Sequence, residues 1–201
     1  MPTALEKVLQ MKIVPVVAIH DAGHSDALAN ALVEGGLPCA EITFRTAAAA
    51  DAIRTMSKRG DMLVGAGTVL TIDQVKLAVD AGATFMVAPG LNPRVVGYCR
   101  ERNIPIAPGV ATPTDIETAL DLGLKILKYF PAEAFGGLKT LKAISEPYTA
   151  LKFIPTGGIN ADNVIAYLEH PKVVACGGSW MVKSALIADG RFDKITSLTR
   201  E

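Results

Sequence analysis

The chain has 201 residues, half of them hydrophobic and 20% charged, which is a globular balance with length for one domain and a sizeable core. Basic and acidic residues number 20 each, and no run of like charge occurs, so a nucleic-acid or acidic-membrane partner has no electrostatic support. Cys39, Cys99 and Cys176 are sparse and far apart, the N-terminus has no signal-like pattern, and the longest apolar runs are too short to span a bilayer; the expected location is the cytoplasm.

A short N-terminal helix is expected ahead of the first apolar run, 13–19. The helical pattern 25–34 follows, with Leu28, Ala31 and Leu32 spaced for one face and Ser25 in the capping position. The alternation then repeats. Runs 39–43, 62–66, 84–88, 104–108, 125–130, 151–155 and 173–176 read as strands, and segments 46–59, 71–81, 93–102, 113–122, 138–144 and 161–170 read as helices. Thr71, Asn92 and Thr112 stand at further helix starts, and Gly35-Gly36, Gly60, Gly82 and Gly123 at helix ends. Most strand runs are apolar on both alternating faces, as parallel strands covered on both sides are. Eight strands alternating with helices predict right-handed βαβ units, and in one compact chain a single closed (β/α)₈ TIM barrel over residues 1–201. An open doubly wound sheet would carry G-x-G-x-x-G after its first strand; Ala18-Ile19-His20-Asp21-Ala22-Gly23 lacks that spacing.

Reactive groups of a barrel sit at the carboxyl ends of its strands. Strand periodicity puts Ile126, Lys128 and Phe130 on one face. An inward Lys128 would sit in poorly solvated surroundings, which disfavour the ammonium and leave the amine form that attacks a carbonyl; an outward one would only snorkel over apolar surface. Glu41, Thr43 and Arg45 share a face of the second strand. They suit proton transfer by Glu41 and a carboxylate grip by Arg45, or equally a structural ion pair closing the barrel end. Thr68 offers a hydroxyl after Gly65-Ala66-Gly67, though a plain turn explains it, and turn chemistry also suffices for Pro89 in Ala88-Pro89-Gly90. Gly157-Gly158 and Gly177-Gly178 end the last two strands, where open backbone N–H groups near helix starts suit phosphate. The histidines His20, His24 and His170 assemble no metal site with carboxylates, so neither metal nor other cofactor is expected.

With these residues in hand the chain resembles the KDPG/KHG aldolase family, the 2-dehydro-3-deoxy-6-phosphogluconate and 4-hydroxy-2-oxoglutarate aldolases. Glu41-Ile42-Thr43-Phe44-Arg45-Thr46, Val64-Gly65-Ala66-Gly67-Thr68-Val69, Leu127-Lys128-Tyr129-Phe130-Pro131-Ala132-Glu133, Pro155-Thr156-Gly157-Gly158-Ile159 and Gly177-Gly178-Ser179-Trp180 carry the resemblance in order along the chain. It implies a Schiff base on Lys128, proton shuttling by Glu41, and a pyruvate pocket held by Arg45 and Thr68 and lined by Pro89. It also implies phosphate contacts from Gly157, Gly158, Gly177, Gly178 and Ser179, and a homotrimer. The implied substrate is a phosphorylated 2-oxo sugar acid or a 2-oxo acid, cleaved to pyruvate and an aldehyde. Phe135, and Ile19-His20 where some relatives have arginine, depart from the family pattern and bear on which substrate fits. A 6-phosphogalactonate substrate, a sugar-phosphate isomerase or epimerase and a non-catalytic oligomeric scaffold are the alternatives.

Overall fold

The computed structural model describes residues 2–201. Thr3 opens the first helix, α1 (Ala4–Gln10), with a capping box: its hydroxyl accepts from the Glu6 N–H while the Glu6 carboxylate accepts from the Thr3 N–H. The strands that follow are β1 (Ile13–Val17), β2 (Cys39–Thr43), β3 (Leu63–Gly67), β4 (Met86–Val87), β5 (Ile106–Ala107), β6 (Gly109–Val110), β7 (Ile126–Tyr129), β8 (Lys152–Pro155) and β9 (Cys176–Gly178). Between and after them lie α2 (Ser25–Glu34), α3 (Ala49–Ser57), α4 (Ile72–Asp80), α5 (Pro93–Glu101), α6 (Pro113–Asp121), α7 (Gly137–Ser145), α8 (Val164–Leu168), α9 (Ser184–Ala188) and α10 (Phe192–Arg200).

All strand pairs are parallel, in a six-stranded sheet ordered β5-β4-β3-β2-β1-β9 and a three-stranded sheet ordered β6-β7-β8. Single parallel bridges, Phe153 with Val173 and Thr156 with Gly177, connect β8 and its end to the chain entering β9. The architecture is an α/β fold with a curled parallel sheet. The fifth expected strand is two short ones, split at Pro108. Proline has no N–H to give to a ladder, and here its carbonyl accepts from the Lys128 N–H at 2.9 Å. The last expected strand moves from 173–176 to Cys176–Gly178, with Val173 left in an isolated bridge.

Side chains divide by strand parity. On β2, Ala40 and Ile42 join the core shared with the helices, whereas Cys39 joins a second core with Leu5, Val8 and Leu9 of α1. On β7, Leu127 and Tyr129 face the helices, and Ile126 packs against the α1 side. Helix α1 therefore covers one end of the inner face and Phe85 fills part of it. A side chain at Gly65 would collide with that ring, which is why glycine stands there.

Thr71, Asn92 and Thr112 cap α4, α5 and α6 as expected. Ser25 does not cap α2: a 3-10 turn over Ala22–His24 precedes it, His24 takes the capping position, and the Ser25 hydroxyl is buried with no partner. The Asp21 side chain caps the turn instead, accepting from the Gly23 N–H at 2.8 Å.

Candidate active site

The parity that turns Cys39 and Ile126 towards α1 also turns Glu41 and Lys128 inward. Lys128 is 5% exposed and Glu41 3% exposed, and Lys128 Nζ donates to Glu41 Oε1 at 3.4 Å. The ammonium lies 5.0 Å from the centre of the Phe130 ring. Around the pair is a chamber of about 10 Å³, closed below by Leu5, Val8 and Leu9 and bounded at the side by Phe85, Ile154 and Thr156. Its lining beyond the pair is apolar save Thr156, so each charge depends on the other. Larger hollows, such as one of about 430 Å³ beside Asp73, Lys76 and Arg94, hold no buried ion pair.

Tight backbone packing sets the position of Glu41. A Cβ on Gly67 would run into its carboxylate. The next residue, Thr68, is β-branched yet has φ 56°, in the left-handed region. Such a conformation costs about 1–3 kcal/mol and persists only where the surroundings enforce it, often at ligand clamps. Thr43 is buried and donates its hydroxyl to the Val17 carbonyl at 2.8 Å, and the Arg45 Nε donates to the Thr43 hydroxyl at 3.1 Å. Arg45 is exposed, and among the described residues no carboxylate forms an ion pair with it. The alternative of a structural Glu41–Arg45 pair is therefore not formed; the partner of Glu41 is Lys128. Pro89 is half-buried at the end of β4, where a Cβ on Gly109 would collide with its carbonyl.

Gly157 and Gly158 have φ of 94° and 82°. Their carbonyls are occupied: Gly157 accepts from the Glu133 N–H at 3.0 Å, and Gly158 from Asn163 Nδ2 at 3.0 Å. Among the described residues their own N–H groups form no hydrogen bond. Two backbone donors on successive glycines are thus left open to an acceptor. Gly177 and Gly178 are buried in β9, where added side chains would collide with Thr156 and the Trp180 ring, and Ser179 stands exposed after them. The expected helix starts are displaced from these glycines. Helices α8 and α9 begin at Val164 and Ser184 and have five residues each, so the donors stand without a long helix behind them.

Thr156 is the chamber residue that glycine motifs conceal. It is 6% exposed, and strand parity from Ile154 was the available signal for its inward side chain. Among the described residues no cluster of three or more His, Cys, Asp or Glu could hold a metal ion. No described helix is long and apolar enough to cross a membrane.

A family model for KDPG and KHG aldolases matches residues 5–198. The 2-dehydro-3-deoxy-phosphogluconate aldolase of Haemophilus influenzae is 51% identical over 98% of this chain and 93% of its own length; that of Treponema pallidum is 46% identical over 100% and 96%. A crystal structure of KDPG aldolase from Legionella pneumophila, with pyruvate captured at low pH as a covalent carbinolamine intermediate, aligns with a TM-score of 0.95 at 36% identity over 99% of this chain and 97% of that one. With a buried lysine–carboxylate pair at its centre and relatives matching end to end, the chain belongs to the KDPG and KHG aldolase family.

Proposed function

We propose that this lyase cleaves 2-dehydro-3-deoxy-6-phosphogluconate to pyruvate and glyceraldehyde 3-phosphate through a Schiff base on Lys128, and that 4-hydroxy-2-oxoglutarate is a second substrate. The observation that carries the assignment to Lys128 is its buried approach to Glu41, 3.4 Å across an apolar chamber. The uncharged amine attacks the C2 carbonyl to give a carbinolamine, the species held in the Legionella structure. Loss of water gives a protonated imine, an electron sink. Glu41 takes the proton of the C4 hydroxyl, the C3–C4 bond breaks, and the aldehyde leaves with its bonding pair now in the enamine. Protonation at C3 and hydrolysis release pyruvate and restore the amine. Glu41 lies close enough to Nζ to serve the proton transfers of both imine formation and cleavage.

Arg45 has no carboxylate partner among the described residues and suits the substrate carboxylate. Thr68 and Pro89 complete that pocket in this reading. The free N–H groups of Gly157 and Gly158, with Gly177, Gly178 and Ser179 alongside, suit the phosphate. The two sheets form one closed (β/α)₈ barrel spanning a single domain, residues 1–201. Its support is that only Pro108 separates β5 from β6 and that two bridges tie β8 to the β9 segment. Family resemblance supports a homotrimer, and three buried free thiols suit a reducing cytoplasm.

Borohydride reduction with pyruvate tests the chemistry. A stable adduct mapped by mass spectrometry to Lys128, absent from Lys128→Ala, is expected. Normal cleavage by Lys128→Ala would remove the nucleophile from the mechanism.

A further inference from the structure

The orientation of the two free glycine donors is set from outside their own loop, by the turn that follows Lys128. A peptide unit is planar, and these are trans, so each N–H points opposite to the carbonyl of the preceding residue. The Thr156 carbonyl accepts from the Ala132 N–H at 2.8 Å, which fixes where the Gly157 N–H points. The Gly157 carbonyl accepts from the Glu133 N–H at 3.0 Å, which fixes the Gly158 N–H. Successive residues of one turn therefore aim successive donors of the other.

That turn is itself pinned through the Glu133 side chain. The hydroxyl of Tyr167, a residue 2% exposed in α8, donates to Glu133 Oε1. The packing leaves the carboxylate little alternative. A Cβ on Gly137 would lie 3.0 Å from Glu133 Oε1 and 3.2 Å from the Tyr167 hydroxyl, and a Cβ on Gly158 would lie 2.5 Å from the Glu133 Cβ. Both glycines are needed for the two segments to close on each other. Burial, followed by the Glu133 bond, pushes the Tyr167 hydroxyl well above the usual tyrosine range, so it remains a donor.

We propose that Glu133 and Tyr167 are positioning residues: their hydrogen bond locks the turn after β7 against the glycine loop after β8 and thereby sets the preference for phosphorylated over unphosphorylated substrate. This rests on the phosphate role given above to Gly157 and Gly158. Neither side chain takes part in imine formation. Their loss weakens the phosphate grip and leaves the pyruvate end intact.

The test compares kcat and KM for 2-dehydro-3-deoxy-6-phosphogluconate and for the same sugar acid without its phosphate, in the unmodified enzyme and in Tyr167→Phe, Glu133→Ala and Glu133→Gln. Losing a hydrogen bond to a charged group corresponds to about tenfold or more, so Tyr167→Phe and Glu133→Ala should lower the ratio of the two kcat/KM values about tenfold, through KM of the phosphorylated substrate. Glu133→Gln keeps an acceptor for the tyrosine and should retain most of the ratio. Borohydride trapping of pyruvate should proceed at the same rate in all four proteins. An unchanged ratio, or an equal decline on both substrates, overturns the proposal, since a merely structural defect gives the latter. Should the unmodified enzyme prefer neither substrate, the phosphate role of the glycines fails and the proposal with it; should it not trap pyruvate, the Schiff-base reading is what has failed.

Discussion

Replacing Lys128 by methionine keeps most of the stem volume and removes the cation, so it isolates what the inner pair contributes to stability. At 3.4 Å the attraction is about 5 kcal/mol for an effective dielectric constant of about 20. The variant escapes the cost of burying an ammonium, but it strands a carboxylate that is 3% exposed and has no other ion-pair or hydrogen-bond partner among the described residues. Breaking a buried pair from one side typically costs about 3–5 kcal/mol. Lys128→Met should therefore unfold with a Tm lower by about 6–20 °C, taking about 2–4 °C per kcal/mol for a domain of this size. Removing the stranded charge as well, in Lys128→Met/Glu41→Leu, should restore stability to within about 1 kcal/mol of the original or exceed it, as apolar replacement of buried pairs often does. Urea denaturation of the four members of this double-mutant cycle gives the coupling energy. A Lys128→Met protein as stable as the original, with coupling under about 1 kcal/mol, would refute the claim that these groups depend on each other in a dry interior.

Gly67→Ala drives a methyl group into the Glu41 carboxylate, so turnover should fall by at least about 10²-fold, the scale of a displaced catalytic group, and pyruvate trapping on Lys128 should slow as well; equal kcat in both proteins would count against Glu41 as the proton carrier. Arg45→Lys keeps the charge and loses the fork, and KM should rise about tenfold with kcat little changed, as steady-state kinetics will report. Burial raises the Asp115 carboxyl, but hydrogen bonds from Ala111 and Thr112 outweigh it and hold it below the usual range. Its stabilisation is therefore complete above the unfolded value of about 3.9 and is lost as pH falls through the lower folded value; acid titration of stability should be flatter in Asp115→Asn, which should also lose about 1 kcal/mol of capping at neutral pH. Desolvation pushes the thiols of Cys39 and Cys176 up to about 12 and that of Cys99 to about 11, so a thiolate-directed reagent should label the native protein far more slowly than the unfolded chain, in a time course followed by absorbance.

Alternation of period-2 and helical segments was strong enough in the sequence to place α2 and β2 at their observed bounds and to identify the caps Thr71, Asn92 and Thr112. Its failures have local causes. Pro108 interrupts a strand because of a missing donor, whereas Ser25 loses its capping role to a 3-10 turn that residue type did not reveal. The glycine pairs were visible as turn formers, but their proximity to helix starts was overestimated, because 161–163 form a separate turn and α8 begins only at Val164. The Glu133–Tyr167 bond spans 34 residues between unlike segments, and no periodicity links them.

Glu41 and Lys128 show what parity can decide and what it leaves to tertiary structure. Parity puts Glu41 with Cys39 and Lys128 with Ile126, so each residue's face was legible once its strand was recognised. Whether those faces were inward could not follow from either strand alone, because a face carrying one charge reads equally well as solvent-facing. Strands β2 and β7 share no hydrogen bond and belong to different sheets. In a flat parallel sheet, side chains on strands so far apart in order would be separated by several strand spacings of about 4.8 Å each. A 3.4 Å contact across 87 residues therefore requires the sheets to curl so that the faces carrying the two residues turn towards each other. Curvature brings the amine to the carboxylate, and the apolar side chains of α1 close the space beneath them.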